Sequence, residues 1–235
     1  MPGGRMFSLG GRLALCASLV RPGSRLVDVG TDHAYLPVWL ALAGRIGRAV
    51  AADVRPGPLA RAERNIRKYG VEATVRARLS DGLDAVSPQE ADDIVFAGMG
   101  GLLISRILLR TPWLRDPAKR LILQPMTSVE ELRRSLSEQG FAVLRERAAC
   151  EDGHVYTAML CGYDPANRMT GRLYPYVGRI SADTPENRLY LARRMAPLKK
   201  RADGLRREGD RKAAEELDEV RGRIAAMLGR PEESN

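Results

Sequence analysis

Arg25-Leu26-Val27-Asp28-Val29-Gly30-Thr31-Asp32-His33-Ala34 is a short apolar strand that enters a glycine turn and leaves it as a helix running from Ala34 to Ala43. A brief β-branched run bounded by Gly is how a strand buried on both faces reads. The same unit recurs down the chain. Arg48–Asp53 is strand-like. Pro56–Tyr69 is helical, with Leu59, Ala62, Ile66 and Tyr69 on one face and Gly70 as its stop. Ala73–Leu79 alternates like a strand, and Asp93–Ala97 is a buried strand ending in Gly98-Met99-Gly100-Gly101. A helix over Leu102–Leu109 follows, then a strand over Arg120–Gln124 expected to stop at Pro125, then a helix over Ser128–Gln139 closed by Gly140. Phe141–Ala149 and Val155–Cys161 read as an antiparallel pair around Glu151-Asp152-Gly153. Strands alternating with helices in this way predict an α/β fold. Its sheet is Rossmann-like, mostly parallel and seven-stranded, covered by helices on both faces with a hairpin at one edge. Other α/β enzymes share that layout.

The chain has 235 residues, of which 44% are hydrophobic, 29% charged and 5% aromatic, enough for a full core and unlike a disordered polymer. No apolar run approaches the roughly 20 residues of a membrane span. The segment Met1–Val20 is interrupted by Arg12 and lacks the build of a signal peptide. Cys16, Cys150 and Cys161 have no metal-ligand spacing and read as reduced core residues of a cytoplasmic protein. His33 and His154 are the only histidines, and neither has a Cys partner nearby, so no metal site is expected.

Net charge is +9, which favours a polyanionic partner. Residues 1–164 carry 22 basic and 18 acidic side chains, whereas residues 165–235 carry 16 and 11, so the shorter segment holds the larger excess. The expected domains follow the same division: a catalytic domain over 1–164, then a linker and a basic helical hairpin over 165–235. Leu191, Met195, Leu198, Ala202 and Leu205 recur at steps of four and three, as do Ala213, Leu217, Val220, Ile224 and Met227. Glu208-Gly209-Asp210 separates the two series as a turn, which predicts an antiparallel, coiled-coil-like hairpin. Pro197 is expected to kink or break the first helix. The hairpin suits either a structural, dimerising role or an RNA-gripping arm; a monomer is the expected state.

Candidate site residues gather at strand ends, where open parallel sheets bind ligands. After the first strand only Gly30 is present instead of a G-x-G-x-x-G spacing, and Asp28 and Asp32 flank it. Carboxylates repel a pyrophosphate but favour a cation. S-adenosyl-L-methionine carries a sulfonium and an ammonium and no phosphate, so charge favours it over a dinucleotide. Asp28, Gly30, Thr31 and His33 are the expected cofactor residues of this turn. Asp53, with Val54 beside it, ends the second strand 23 residues beyond Gly30, where an acid can accept both ribose hydroxyls. Asp81-Gly82 brings another carboxylate to the crevice for an adenine amino group. Gly98-Met99-Gly100-Gly101 permits close backbone approach at the cofactor's reactive end. The Pro-Pro-aromatic sequence common among amino-methylating enzymes of this broad fold is absent there.

Asp28–Pro37 (DVGTDHAYLP), Gly57-Pro58-Leu59, Asp81-Gly82-Leu83, Ala97–Gly101 (AGMGG) and Leu121–Pro125 (LILQP) occur in the order found in the bacterial tRNA (adenine-22, N1)-methyltransferase family. Over roughly residues 11–162 the chain resembles that family, and its basic hairpin resembles the family's C-terminal coiled coil. The resemblance implies a Rossmann-like methyltransferase that uses S-adenosyl-L-methionine on N1 of an adenine in tRNA. On that reading Asp32 contacts the target's amino group or takes its proton, and Tyr35 shapes the pocket. His33 serves either the pocket or the turn itself. Met126 stands where the family commonly has Asn, and cannot reproduce that side chain's hydrogen bonds. A methyltransferase for a small molecule or protein, or a non-catalytic RNA binder on the same scaffold, are the alternatives.

Overall fold

The computed structural model describes residues 7–229; the start of the segment read for a leader and the end of the basic tail, at 1–6 and 230–235, lie outside them. Its elements run α1 (Gly11–Leu19), β1 (Arg25–Val29), α2 (Tyr35–Leu42), β2 (Arg48–Asp53), α3 (Pro56–Lys68), β3 (Val75–Leu79), β4 (Asp93–Gly100), α4 (Gly101–Arg110), β5 (Arg120–Thr127), α5 (Val129–Glu138), β6 (Phe141–Glu151), β7 (His154–Tyr163), α6 (Tyr174–Val177), α7 (Pro185–Arg207) and α8 (Arg211–Met227). The seven strands form one sheet in the order β3-β2-β1-β4-β5-β7-β6, parallel except that β7 runs antiparallel to both of its neighbours. Strand order reverses between β1 and β4, which opens a crevice at their carboxyl ends.

The apolar runs are continuous because both faces of the sheet are covered. Val27, Val50, Ile94, Phe96, Leu121 and Leu123 pack against Ile104, Ile107, Leu132 and Leu136 of α4 and α5. Leu26, Ala49, Ala51, Val95 and Ile122, at the alternate positions, pack on the other side against α1, α2 and α3 through Cys16, Leu36, Leu40, Ala62 and Ile66. The period of two within each strand thus feeds two separate cores.

Several expectations are corrected. Strand β5 does not stop at Pro125 but runs on to Thr127. Its pairing with β7 covers only Leu121–Leu123, and its pairing with β4 shifts register around Met99, so the missing Pro125 amide falls where the ladder is already irregular. Helix α7 continues unbroken through Pro197. Leu191, Leu198 and Ala202 on either side of it stay buried against Leu217, Val220 and Ile224 of α8, and that packing outweighs one lost backbone bond. Asp210 caps α8 by accepting from the Ala213 amide at 3.0 Å, ending the three-residue turn as expected. The segment between the sheet and α7 is packed: Tyr174, Tyr176, Val177 and Ile180 are buried. Cys150, read as a core residue, is exposed near the tip of the β6–β7 hairpin, while Cys16 and Cys161 are buried. Among the described residues, no helix is long and apolar enough to cross a membrane.

Candidate active site

The turn after β1 is shaped by the backbone of β2. The amides of Gly30 and Thr31 both donate to the Ala52 carbonyl, at 2.8 and 2.9 Å, which folds the chain over the neighbouring strand end. Gly30 has φ +76°, a left-handed conformation that favours glycine, whereas a Cβ there would meet only the movable end of Met99, 2.9 Å from its Cε. Asp28, in β1, is almost fully buried. Burial raises its carboxyl to about 6, against the opposing pull of the neighbouring Thr31 hydroxyl and then of the Arg12 charge. The buried Thr31 hydroxyl beside it makes no well-formed hydrogen bond with any described residue.

Asp53, at the end of β2, is buried, and its Oδ1 accepts from the Arg55 amide at 2.8 Å. Its other oxygen has no hydrogen-bond donor among the described residues. Val54 next to it is 57% exposed, an apolar side chain presented at a strand end. Beyond β3, Asp81 is held by Arg110 of α4 through Nη2 at 2.6 Å. That bond depresses the carboxyl below the usual range. Gly82, at φ +59°, lies so close to Arg110 and Ile107 that a Cβ would stand 2.9–3.0 Å from them. Since β3, β2, β1 and β4 are adjacent in that order, the fold brings Asp81, Asp53, Asp28 and Gly98 into one row along the carboxyl edge.

Asp32, Tyr35 and His33 occupy the outer lip. Asp32 is exposed and bound by Arg61 of α3 through Nε at 3.2 Å and also through Nη2, with His33 Nε2 at 3.3 Å from its other oxygen. The bond from Arg61, more than any other interaction, lowers the Asp32 carboxyl. Tyr35 is 41% exposed, with its ring stacked on His33 at 5.1 Å and edge-on to Phe7 at 5.5 Å. Asn65 donates to the His33 carbonyl at 2.8 Å, so the turn is also pinned from α3.

Four side chains here escaped sequence reading as site residues: Arg12, Arg61, Arg110 and the amide of Gln124. Gln124, fully buried in β5, accepts at Oε1 from both the Gly98 amide, at 2.9 Å, and Arg12 Nη1, at 3.0 Å. Its Nε2 faces Met126 Sδ at 3.7 Å, and Met126 is exposed on the same rim. No local motif marks the three arginines, because each acquires its place from a partner dozens of residues away. The Gln inside LILQP was the one legible signal.

The arrangement suits a nucleoside cofactor with a cationic amino-acid end. A carboxylate oxygen of Asp53 without a donor among the described residues, a Thr31 hydroxyl with no well-formed bond among them, a buried acid at Asp28 and glycines at the turns all fit S-adenosyl-L-methionine.

A family model described as "Methyltransferase domain" matches residues 9–159. The tRNA (adenine(22)-N(1))-methyltransferase of Bacillus subtilis is 35% identical over 149 residues, a match spanning 63% of this chain and 63% of that protein. The crystal structure of the B. subtilis m1A22 tRNA methyltransferase superposes with a TM-score of 0.81 at 26% identity, covering 94% of this chain and 99% of that one. A Streptococcus pneumoniae protein solved in complex with S-adenosyl-L-methionine superposes with a TM-score of 0.77 at 31% identity, covering 92% and 98%. With the family model matching well over half of its residues, and with this crevice at the reversal of its sheet, the chain belongs to the methyltransferase-domain family.

Proposed function

We propose that this protein transfers a methyl group from S-adenosyl-L-methionine to N1 of an adenine in tRNA, adenine 22 by its similarity to the B. subtilis enzyme. The observation that carries this reading is the row of Asp28, Asp53 and Asp81 at the carboxyl ends of three adjacent strands, with glycine turns beneath it. Asp53 would take the ribose hydroxyls, Val54 would pack on the adenine, and Asp81 with Gly82 would meet its amino group. Asp28, Gly30, Thr31 and His33 would surround the amino-acid end, and Gly98 and Met99 the reactive end. When bound, the cofactor supplies an activated methyl on its sulfonium, so the protein's task is alignment and electrostatic support.

N1 lies on the pairing edge of adenine, so the target must leave its stack to enter the crevice, at a cost of a few kcal/mol. Tyr35, exposed and stiffened by His33 and Phe7, offers a ring against which the extruded base can lie. Asp32 stays ionised because Arg61 binds it. It therefore acts as an acceptor for the adenine amino group and as a counter-charge for the cationic methylated base. Met126 adds an apolar wall in place of an amide. The α7–α8 hairpin, with exposed Lys199, Lys200, Arg206 and Arg207, would grip the RNA backbone by charge and shape. A monomer acting in the cytoplasm suits this role. The test is to incubate the protein with labelled S-adenosyl-L-methionine and a bulk tRNA pool, then digest to nucleosides. Label in 1-methyladenosine supports the reading, and label only in another nucleoside, or none, refutes it.

A further inference from the structure

The acids that line the crevice account for the positive charges of the cofactor but not for its carboxylate, which they would repel. Cations near the strand ends are mostly committed. Arg61 is bound to Asp32, Arg110 to Asp81 with Asp84 at 3.6 Å, and Arg55 lies 3.8 Å from Asp53. Arg12 differs. Among the described residues no carboxylate lies within 4.0 Å of its guanidinium, and its one side-chain hydrogen bond to them is the 3.0 Å bond to Gln124 Oε1.

Its position is nonetheless fixed from three sides. Its backbone amide donates to Glu151 Oε2 at 2.7 Å. Gly11 beside it packs so tightly on β6 that a Cβ would stand 2.6 Å from the Cys150 carbonyl oxygen. Nη1 is clamped by Gln124, which is itself locked by the Gly98 amide. The guanidinium thus lies against the β4 turn, where a Cβ on Gly98 would be 3.3 Å from Nη1, and its charge reaches Asp28. A half-buried guanidinium held this firmly, with most of its donors unspent among the described residues, is poised to receive an oxyanion.

We propose that Arg12, oriented by Gln124, binds the α-carboxylate of the methyl donor and thereby sets the cofactor's amino-acid end between a cation and the buried acid Asp28. The inference rests on the S-adenosyl-L-methionine reading above but not on the identity of the methyl acceptor. Arginine matches a carboxylate through paired N–H donors, and such charge-assisted bonds are the strong ones.

Calorimetric titration of the full chain without RNA tests it, using S-adenosylhomocysteine and its decarboxylated analogue, which keeps the amine. The wild type should favour the carboxylated ligand by about tenfold or more. Arg12→Met should lose about that factor for S-adenosylhomocysteine while binding the decarboxylated analogue within about twofold of wild type, and Arg12→Lys should fall between. Equal weakening of both ligands by Arg12→Met would overturn the proposal in favour of a structural role. Unchanged cofactor affinity with weakened tRNA binding would overturn it in favour of a target phosphate. Should Arg12→Met not fold, the wild type's own discrimination decides, since equal affinity for the two ligands contradicts the assignment. Wild-type protein that binds neither ligand would sink the cofactor reading as well, whereas methylation of something other than tRNA would leave this inference standing.

Discussion

Arg61 of α3 binds the carboxylate of Asp32 through Nε, at 3.2 Å, and Nη2, and so fixes an anion at the lip of the crevice. A carboxylate stabilised in this way is a weak base, held below the usual carboxylate range by the guanidinium bond. Its expected role is to accept a hydrogen bond and oppose positive charge. Asp32→Ala should leave cofactor affinity within severalfold of wild type and lower methyl transfer by about a hundredfold or more, read by calorimetry and single-turnover kinetics in parallel. Retained turnover would remove Asp32 from the site.

Asp28 makes the fold pH-sensitive in a definite direction. Burial raises its carboxyl from 3.8 to about 6, so the folded protein holds that proton more tightly than the unfolded chain. The stabilisation is complete below pH 3.8 and is lost as pH rises through about 6. Above that the ionised group costs the empty protein roughly 2–3 kcal/mol. Asp28→Asn should therefore melt higher than wild type at pH 8, with the gap closing by about pH 4. The same substitution should weaken S-adenosyl-L-methionine binding, and wild-type affinity should fall as pH drops below about 6. Scanning calorimetry across pH checks the first effect and titration the second.

Arg133 of α5 and Glu146 of β6 form a fully buried ion pair at 2.6 Å beneath the C-terminal helices. Arg133 also donates to the Tyr190 hydroxyl and the Pro175 carbonyl, and Glu146 accepts from the Arg179 amide, so one pair ties α5, the sheet edge, α6 and α7 together. Arg133→Met should cost about 3–5 kcal/mol by leaving Glu146 buried and uncompensated. Arg133→Met with Glu146→Leu should recover much of that loss. Denaturant unfolding of the single and double variants measures the difference.

If the hairpin grips RNA, affinity must fall with salt. Replacing Lys199, Lys200 and Arg207 with Ala should weaken tRNA binding across sequences and flatten the salt slope by about one for each phosphate that is no longer neutralised. Cofactor affinity should not change. Filter binding across a salt series reads both quantities.

How much of this was legible in the residues depended on distance along the chain. Strands β1 to β5 and the β6–β7 hairpin could be read because continuous apolar runs and glycine stops are local signals. The acids at the ends of β1, β2 and β3 could be read for the same reason, since each lies within two residues of the end of its own strand. Pro125 misled as a strand stop and Pro197 as a helix break, because proline's effect depends on whether a neighbour needs the missing amide. At Pro125 the ladder is already irregular, and at Pro197 the packing against α8 carries the helix through. Helix α1 went unread, and with it the setting of Arg12, which meets Gln124 across 112 positions. Arg61 and Arg110 lie 29 positions from the acids they bind. Nothing at their own sequence positions distinguishes them from solvated arginines.

One measurement bears most directly on the proposed activity: methyl transfer to two unmodified tRNA transcripts that differ only in carrying adenine or guanine at position 22. The expected result is 1-methyladenosine in the first transcript and no methylation of the second. Well-folded, cofactor-binding protein that leaves both transcripts unmodified, or modifies both alike, would contradict it.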